Sequence, residues 1–266
     1  MARAGAVRHL IRETRLLGFS AVLLVLLAWE VYSYLDSAFA PYFPRVTSIA
    51  ATFVSLCLSG ELPHHVGQTL LRTFRGYLLG IVFGVSLGAT SGLWRWVHAL
   101  LGLTIELIRP TPVVAAIPIA ILFLGMGDKV NIFVVALAAT WPIYINTLQG
   151  VRRVSPELIN TGRMFGYPRR RIIAKIIIPA SLPFLVSGLR ISLAISLIVA
   201  VISEMLVSQS GLGYFVVDTA QAFRISEMYA GVFATALVGY ALNSIFVSLE
   251  TRWMRWHKGF TAQQPA

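Results

Sequence analysis

The sequence predicts an all-α integral membrane protein with about six transmembrane helices. Three observations predict it. Hydrophobic residues make up 57% of the chain and mean hydropathy is +0.75, above the roughly 45–50% apolar content of soluble domains. Runs of about 20 apolar residues, enough to cross a ~30 Å hydrocarbon core, recur along the chain. No stretch shows the alternation of a barrel strand, and lipid offers no water to an unpaired backbone, so each span must be a helix.

The elements follow in order. Arg3, Arg8, Arg12 and Arg15 precede an apolar run that predicts a first span over 16–35. Ala38-Phe39-Ala40 resembles a signal-peptidase site, but the run exceeds the roughly 7–15 residues of a signal h-region and Pro41 follows directly. The reading is a retained first span. Further spans are predicted over 70–93, 97–125, 130–149, 183–207 and 229–250. In the second, Gly76, Gly80, Gly84 and Gly88 recur every fourth residue, with Gly92 just beyond, a spacing that lets another helix approach closely. Arg109, Pro110, Pro112 and Pro118 interrupt the third, which predicts a span that is broken or packed inside the bundle. The organisation expected is a tail over 1–15, a first span with an outer segment over 16–65, a core over 66–250 and a tail over 251–266.

Charge orients the spans. Six crossings put both ends and the 150–182 loop on one side, with Arg95 and most of the 22 Lys and Arg. The excess of basic residues in those short segments makes that side cytoplasmic. The net charge of +11 is therefore a topology signal rather than a nucleic-acid footprint. Cys57 is the single cysteine, so no internal disulfide can form. The five histidines show no metal-ligand spacing. No GxxxxGK[ST], HExxH or GxSxG occurs, which argues against an enzyme and against nucleotide hydrolysis in this chain.

Charges within the spans are candidate pathway residues: Arg109 in the third, Arg190 in the fifth and Glu204 near the outer end of the fifth. Internal pairing or snorkelling is the competing account of Arg109 and Arg190, and Glu106 is placed to pair with Arg109 on one helix face.

One polar segment stands apart, SPELINTGRMFGYPRRRIIAKIIIPASLP over 155–183, counting through Pro183. Ser155 can cap a helix whose first turn holds Pro156 and Glu157, an acid at the positive end. Leu158, Ile159, Gly162, Phe165 and Gly166 follow before Tyr167-Pro168 breaks the helix. A second basic amphipathic piece then leads through Pro179 into the fifth span. Two short helices joined by a turn would expose apolar side chains to cytoplasm unless a partner covers them.

Glu157, Gly166 nine residues later and Ile178-Pro179 resemble the EAA signature of the membrane subunits of bacterial ABC importers, in the binding-protein-dependent family. LSGEL, IRPTPVVAAIPIAILFLGMG, YINTLQGVRR, LPFLVSGLR, SEML and SGLGY are similar to one branch, the nitrate/sulfonate/taurine-type permeases. Thr161-Gly162 stands where the signature has an alanine pair, and Tyr167 follows Gly166 in place of alanine.

The resemblance implies an ABC importer type I transmembrane domain in a bacterial inner membrane. It implies a homodimer with two cytoplasmic ABC ATPase subunits and a periplasmic solute-binding protein, with ATP and Mg held by the ATPase and no cofactor in this chain. It makes 150–182 a coupling loop, in which Pro156, Glu157, Leu158, Thr161, Gly162, Phe165, Gly166 and Pro179 contact or shape the ATPase interface. Ser210, Gly211, Gly213 and Tyr214 would face the binding protein or the pathway mouth. The solute implied is a small anion such as a sulfonate, taurine or nitrate. The alternative is a secondary transporter or channel that works without an ATPase, but no paired broken helices of an inverted repeat are visible.

Overall fold

The computed structural model describes residues 20–35 and 42–253, all of its regular structure helical. The two expected tails and Ala38-Phe39-Ala40 lie outside the described residues, apart from 251–253. The helices are α1 Ser20–Leu35 and α2 Val46–Leu58, α3 Glu61–Leu93 and α4 Arg95–Ile108. After a 3-10 turn come α5 Ile117–Leu124, α6 Asp128–Arg152, α7 Pro156–Met164 and α8 Arg169–Ile172. The last three are α9 Ile178–Val207, α10 Leu212–Gln221 and α11 Ile225–Trp253.

The expected six spans are not all found. Among the described residues four helices are long and apolar enough to cross a membrane: α3, α6, the continuous run 169–207 and α11. A bent pair, α4 with Val113–Leu124, makes a fifth if counted as one span. Its halves meet at 90°, where Pro110 and Pro112 cannot donate the hydrogen bonds that would continue a helix. The expected break is therefore present and sharp. Residues 20–35, the described part of the expected first span, form α1. The segments that follow α1 and α9 hold α2 and α10.

The chain packs as two units. Among the described residues, one comprises 20–35, 42–63 and 216–233. In it Trp29 stacks on Phe43 with centroids 4.6 Å apart and meets Tyr229 edge-on at 5.5 Å. The Trp29 indole N–H donates to the Pro44 carbonyl at 3.0 Å, which satisfies its one donor. Glu30 accepts from the Thr47 hydroxyl at 2.7 Å.

The other unit, 64–215 with 234–253 among the described residues, holds the polar sites. Here the glycine repeat explains the packing of α3. A Cβ at Gly76 would stand 2.6 Å from Val135, at Gly84 2.7 Å from Ile143, at Gly88 2.7 Å from Thr147 and at Gly92 2.7 Å from Val151; at Gly80 it would overlap Ala139. Positions rising by four on both helices mean that α3 and α6 run parallel in near backbone contact. α9 runs antiparallel to α6: Ser192 Oγ donates to the Ala139 carbonyl at 2.9 Å, and the Asn131 amide donates to Ser208 Oγ at 2.7 Å. The core joins Ile117 and Ala120 of α5 to Val130, Val134 and Val135 of α6 and Val199 and Ala200 of α9. Thus α5 is packed into the bundle, whereas α4 buries no residue. The ends of α3 and α6 and the start of α9 share one end of this unit; the start of α6 and the end of α9 share the other.

Candidate functional site: a glycine-closed helix and a buried ionic clasp

At the basic end, α7 begins at Pro156 and carries Glu157 in its first turn. Ser155 occupies the N-cap position, but its hydroxyl bonds the Glu157 carboxylate rather than a backbone N–H. The expected capping bond is therefore replaced by a side-chain pair. Thr161 Oγ1 donates back to the Glu157 carbonyl at 2.8 Å. At the other end Tyr167 N–H donates to Gly162 O at 3.0 Å and Gly166 N–H to Arg163 O at 2.9 Å. That is a Schellman closure, and Gly166 sits at φ +71 as it requires.

Ile159 packs with the buried Val154, Ile172 and Ile177, which ties α7 to α8 and the start of α9. Gly162 is buried, and a Cβ there would stand 2.7 Å from Ile176 Cδ1. A Cβ at Gly166 would meet nothing within 4 Å. Crowding between the two short helices therefore resides at Gly162, and Gly166 is needed for its backbone angle alone. The other face is open: Leu158 is 52% exposed, Phe165 76% and Met164 88%. Pro156, Glu157 and Thr161 are exposed as well, and Pro179 is half-buried in the first turn of α9.

The opposite end holds a polar cluster. Arg72 of α3, 4% exposed, donates from Nη1 to Glu204 at 3.0 Å and to the Ser210 carbonyl at 2.6 Å. Its Nε donates to Asp128 at 2.8 Å, and Nη2 to Ser210 Oγ at 2.8 Å. Glu204 is wholly buried and also accepts from Thr69 Oγ1 at 2.8 Å and from Gly213 N–H at 3.1 Å. Thr69 in turn accepts from Leu212 N–H at 2.8 Å, and His65 Nδ1 from Gly211 N–H at 3.1 Å. Arg72 and Glu204 thus pair out of water with their remaining donors and acceptors occupied, as a buried ion pair requires, while Asp128 is half exposed. Gly211, at φ +106, and Gly213 are buried because the chain presses against Glu204: a Cβ at Gly211 would overlap its carboxylate and one at Gly213 the Val201 carbonyl. Tyr214 is half-buried with its ring 6.1 Å from His65, and Gln209 is exposed.

The residues expected to couple thus lie on α7, its closing turn and the first turn of α9, and Glu204 joins Ser210, Gly211 and Gly213. The three candidate pathway charges do not form one site. Arg190 and Glu204 lie about 21 Å apart along α9 at ~1.5 Å per residue. Arg190, its side chain 47% exposed, is 3.6 Å from Glu250 and lines a cavity of about 250 Å³ with Asn243 and apolar walls. Arg109 is exposed at the end of α4, and no ion pair joins it to Glu106 among the described residues. Sequence reasoning passed over Arg72, Thr69, Asp128 and His65. An arginine inside the apolar stretch over 70–93 was the available signal, since a buried guanidinium needs a carboxylate. Its partner stands 132 residues away.

A family model described as binding-protein-dependent transport system inner membrane component matches residues 80–253. A putative aliphatic sulfonates transport permease protein of Bacillus subtilis (strain 168) is 32% identical over 236 residues, covering 89% of this chain and 86% of its own. Its namesake from Escherichia coli (strain K12) is 29% identical, with coverages of 89% and 90%. A bicarbonate transport system permease protein of Synechococcus elongatus is 30% identical over 70% of this chain and 67% of its own. Among solved structures, a chain of the inward-facing MetNI methionine ABC transporter superposes with TM-score 0.55 at 22% identity, covering 69% of this chain and 94% of that one. A chain of an amino acid ABC transporter gives 0.62 at 17% identity, with 76% and 97%. Those two likenesses show the fold, and the family match goes further: this chain belongs to the binding-protein-dependent transport system inner membrane components, the non-catalytic membrane permeases of ABC importers.

Proposed function

We propose that this chain pairs with a second copy of itself to form the translocation pathway of an importer for a small anion. Two cytoplasmic ATPase subunits drive it, and a periplasmic binding protein delivers the solute. The observation that carries the reading is α7: begun at Pro156, closed at its C-terminal end, packed on one face and apolar on the other. A helix held so firmly can pass on a partner's movement as a rigid body. Leu158, Met164 and Phe165 supply the apolar contact, Glu157 a charge at its edge. Gly162 and Gly166 set its shape, and Pro179 starts the helix that receives the motion.

The anion class rests on the relatives, named for sulfonates and bicarbonate, with sulfonate, taurine and nitrate the leading candidates. Arg190 and Arg109 are the cations proposed to favour an anion on the route. The segment over 208–214, which runs into the first turn of α10, is proposed to meet the binding protein through Gln209 and Tyr214, with Ser210, Gly211 and Gly213 shaping it and Glu204 anchoring it. Co-expression with the cognate ATPase and binding protein, followed by ATP-dependent uptake of ethanesulfonate into liposomes, tests this. Uptake by the permease alone, without ATPase, would instead identify a secondary transporter or channel.

A further inference from the structure

A cleft of about 700 Å³ opens beside α7, bounded by the ends of α3 and α6 and the first turn of α4. Its polar walls are Arg95, His98, Arg152, Asn160 and Arg163, and no carboxylate lines it. Among the described residues none of the three arginines is in an ion pair. Arg152 reaches the Ser91 carbonyl, and Arg163 reaches Asn160 Oδ1, only at 3.5 Å, the outer limit of a hydrogen bond. His98 Nδ1, on the wall of the cleft, is buried without a partner. Like charges gathered around a cleft repel one another, and a bound anion relieves the repulsion.

Depth narrows the choice of anion. Trp94 and Trp96 flank Arg95 and are 36% and 68% exposed, and α3 and α6 both end beside them at Leu93 and Arg152. Tryptophan collects at the headgroup level of a bilayer. Guanidinium groups match phosphate oxygens two at a time, and basic pockets at the cytoplasmic ends of membrane helices suit anionic headgroups. We propose that this cleft binds a phosphate group, supplied by the headgroup of an anionic phospholipid in the adjacent leaflet. The assignment does not depend on what the protein transports.

The test uses the full-length chain in mixed micelles with phosphatidylglycerol or phosphatidylcholine, read by native mass spectrometry. Inorganic phosphate forms a separate arm, followed by tryptophan emission. The expected result is retention of phosphatidylglycerol over phosphatidylcholine, reduced roughly tenfold when Arg95→Gln and Arg152→Gln are combined. Each single variant should give a smaller loss, which keeps the test open if the double variant misfolds. Arg170→Gln removes the same charge outside the cleft and should keep the preference. Displacement of the lipid by millimolar inorganic phosphate would support the phosphate site while making soluble phosphate a second source. An unchanged preference in the cleft variants, or an equal loss in Arg170→Gln, overturns the proposal. So does an Arg152→Gln chain that loses a bound ATPase but keeps its lipid preference, because the arginines would then face a protein carboxylate.

Discussion

Two residues are held by their neighbours in different ways, Arg72 by its partners and Gly80 by lack of space. Arg72 satisfies Glu204, Asp128 and Ser210 at once. Arg72→Ala would leave Glu204 charged, buried and short of a partner, a change that costs about 3–5 kcal/mol for a buried pair. Loss of monodisperse protein, or a midpoint lowered by many degrees in detergent, is the expected reading; an unshifted midpoint would show that the pair contributes nothing. Gly80 is the second. A leucine there must push α3 off Ala139, and overpacking of this kind costs about 1–3 kcal/mol. Gly67, whose added Cβ would meet nothing within 4 Å, should accept alanine without loss and serves as the control.

At the scale of the element, α7 separates contact from shape. Phe165→Ala removes an exposed side chain and should leave the fold unchanged, yet weaken retention of the ATPase and uptake. Glu157→Ala loses the acid at the helix start, about 0.3–1 kcal/mol, and any charge pairing across the interface. Gly166→Leu meets no neighbouring atom but must hold φ +71, at roughly 1–2 kcal/mol. Gly162→Leu runs into Ile176 and should displace α7 from α8, giving the larger uncoupling. Stimulated ATP hydrolysis and uptake in proteoliposomes measure both effects. If Gly166→Leu proves more damaging than Gly162→Leu, the packing account of α7 is wrong.

At the scale of the whole molecule, orientation and anion transport can be checked together. In a Cys57→Ser background, Gln209→Cys should react with an impermeant maleimide from outside intact cells and Arg170→Cys should not, because basic residues cluster about the latter. Labelling at Arg170→Cys from outside would invert the topology. Arg190→Gln, whose parent side chain is half exposed and only 3.6 Å-paired with Glu250, should assemble normally and lose uptake. Normal uptake would assign Arg190 to its pair with Glu250 alone.

The sequence by itself determined the class, the family and the local grammar of α7, since composition, proline and glycine placement and acid at a helix start are properties of neighbouring residues. The four-residue glycine period likewise announced a close helix approach. The number of crossings was legible only in part. Apolar length marks a span, yet it could not show that Arg109 to Pro112 turns the chain by 90°, or that α3 begins at Glu61 and carries Arg72 within it. Tertiary structure alone decided the clasp. Arg72, Asp128 and Glu204 lie 56 and 132 residues apart in the pairs they make, and one sequence contains nothing that says which distant carboxylate will neutralise a buried guanidinium. Parallel α3 and α6 with antiparallel α9 bring those helix ends together, and a charge removed from water must then find its counter-charge there.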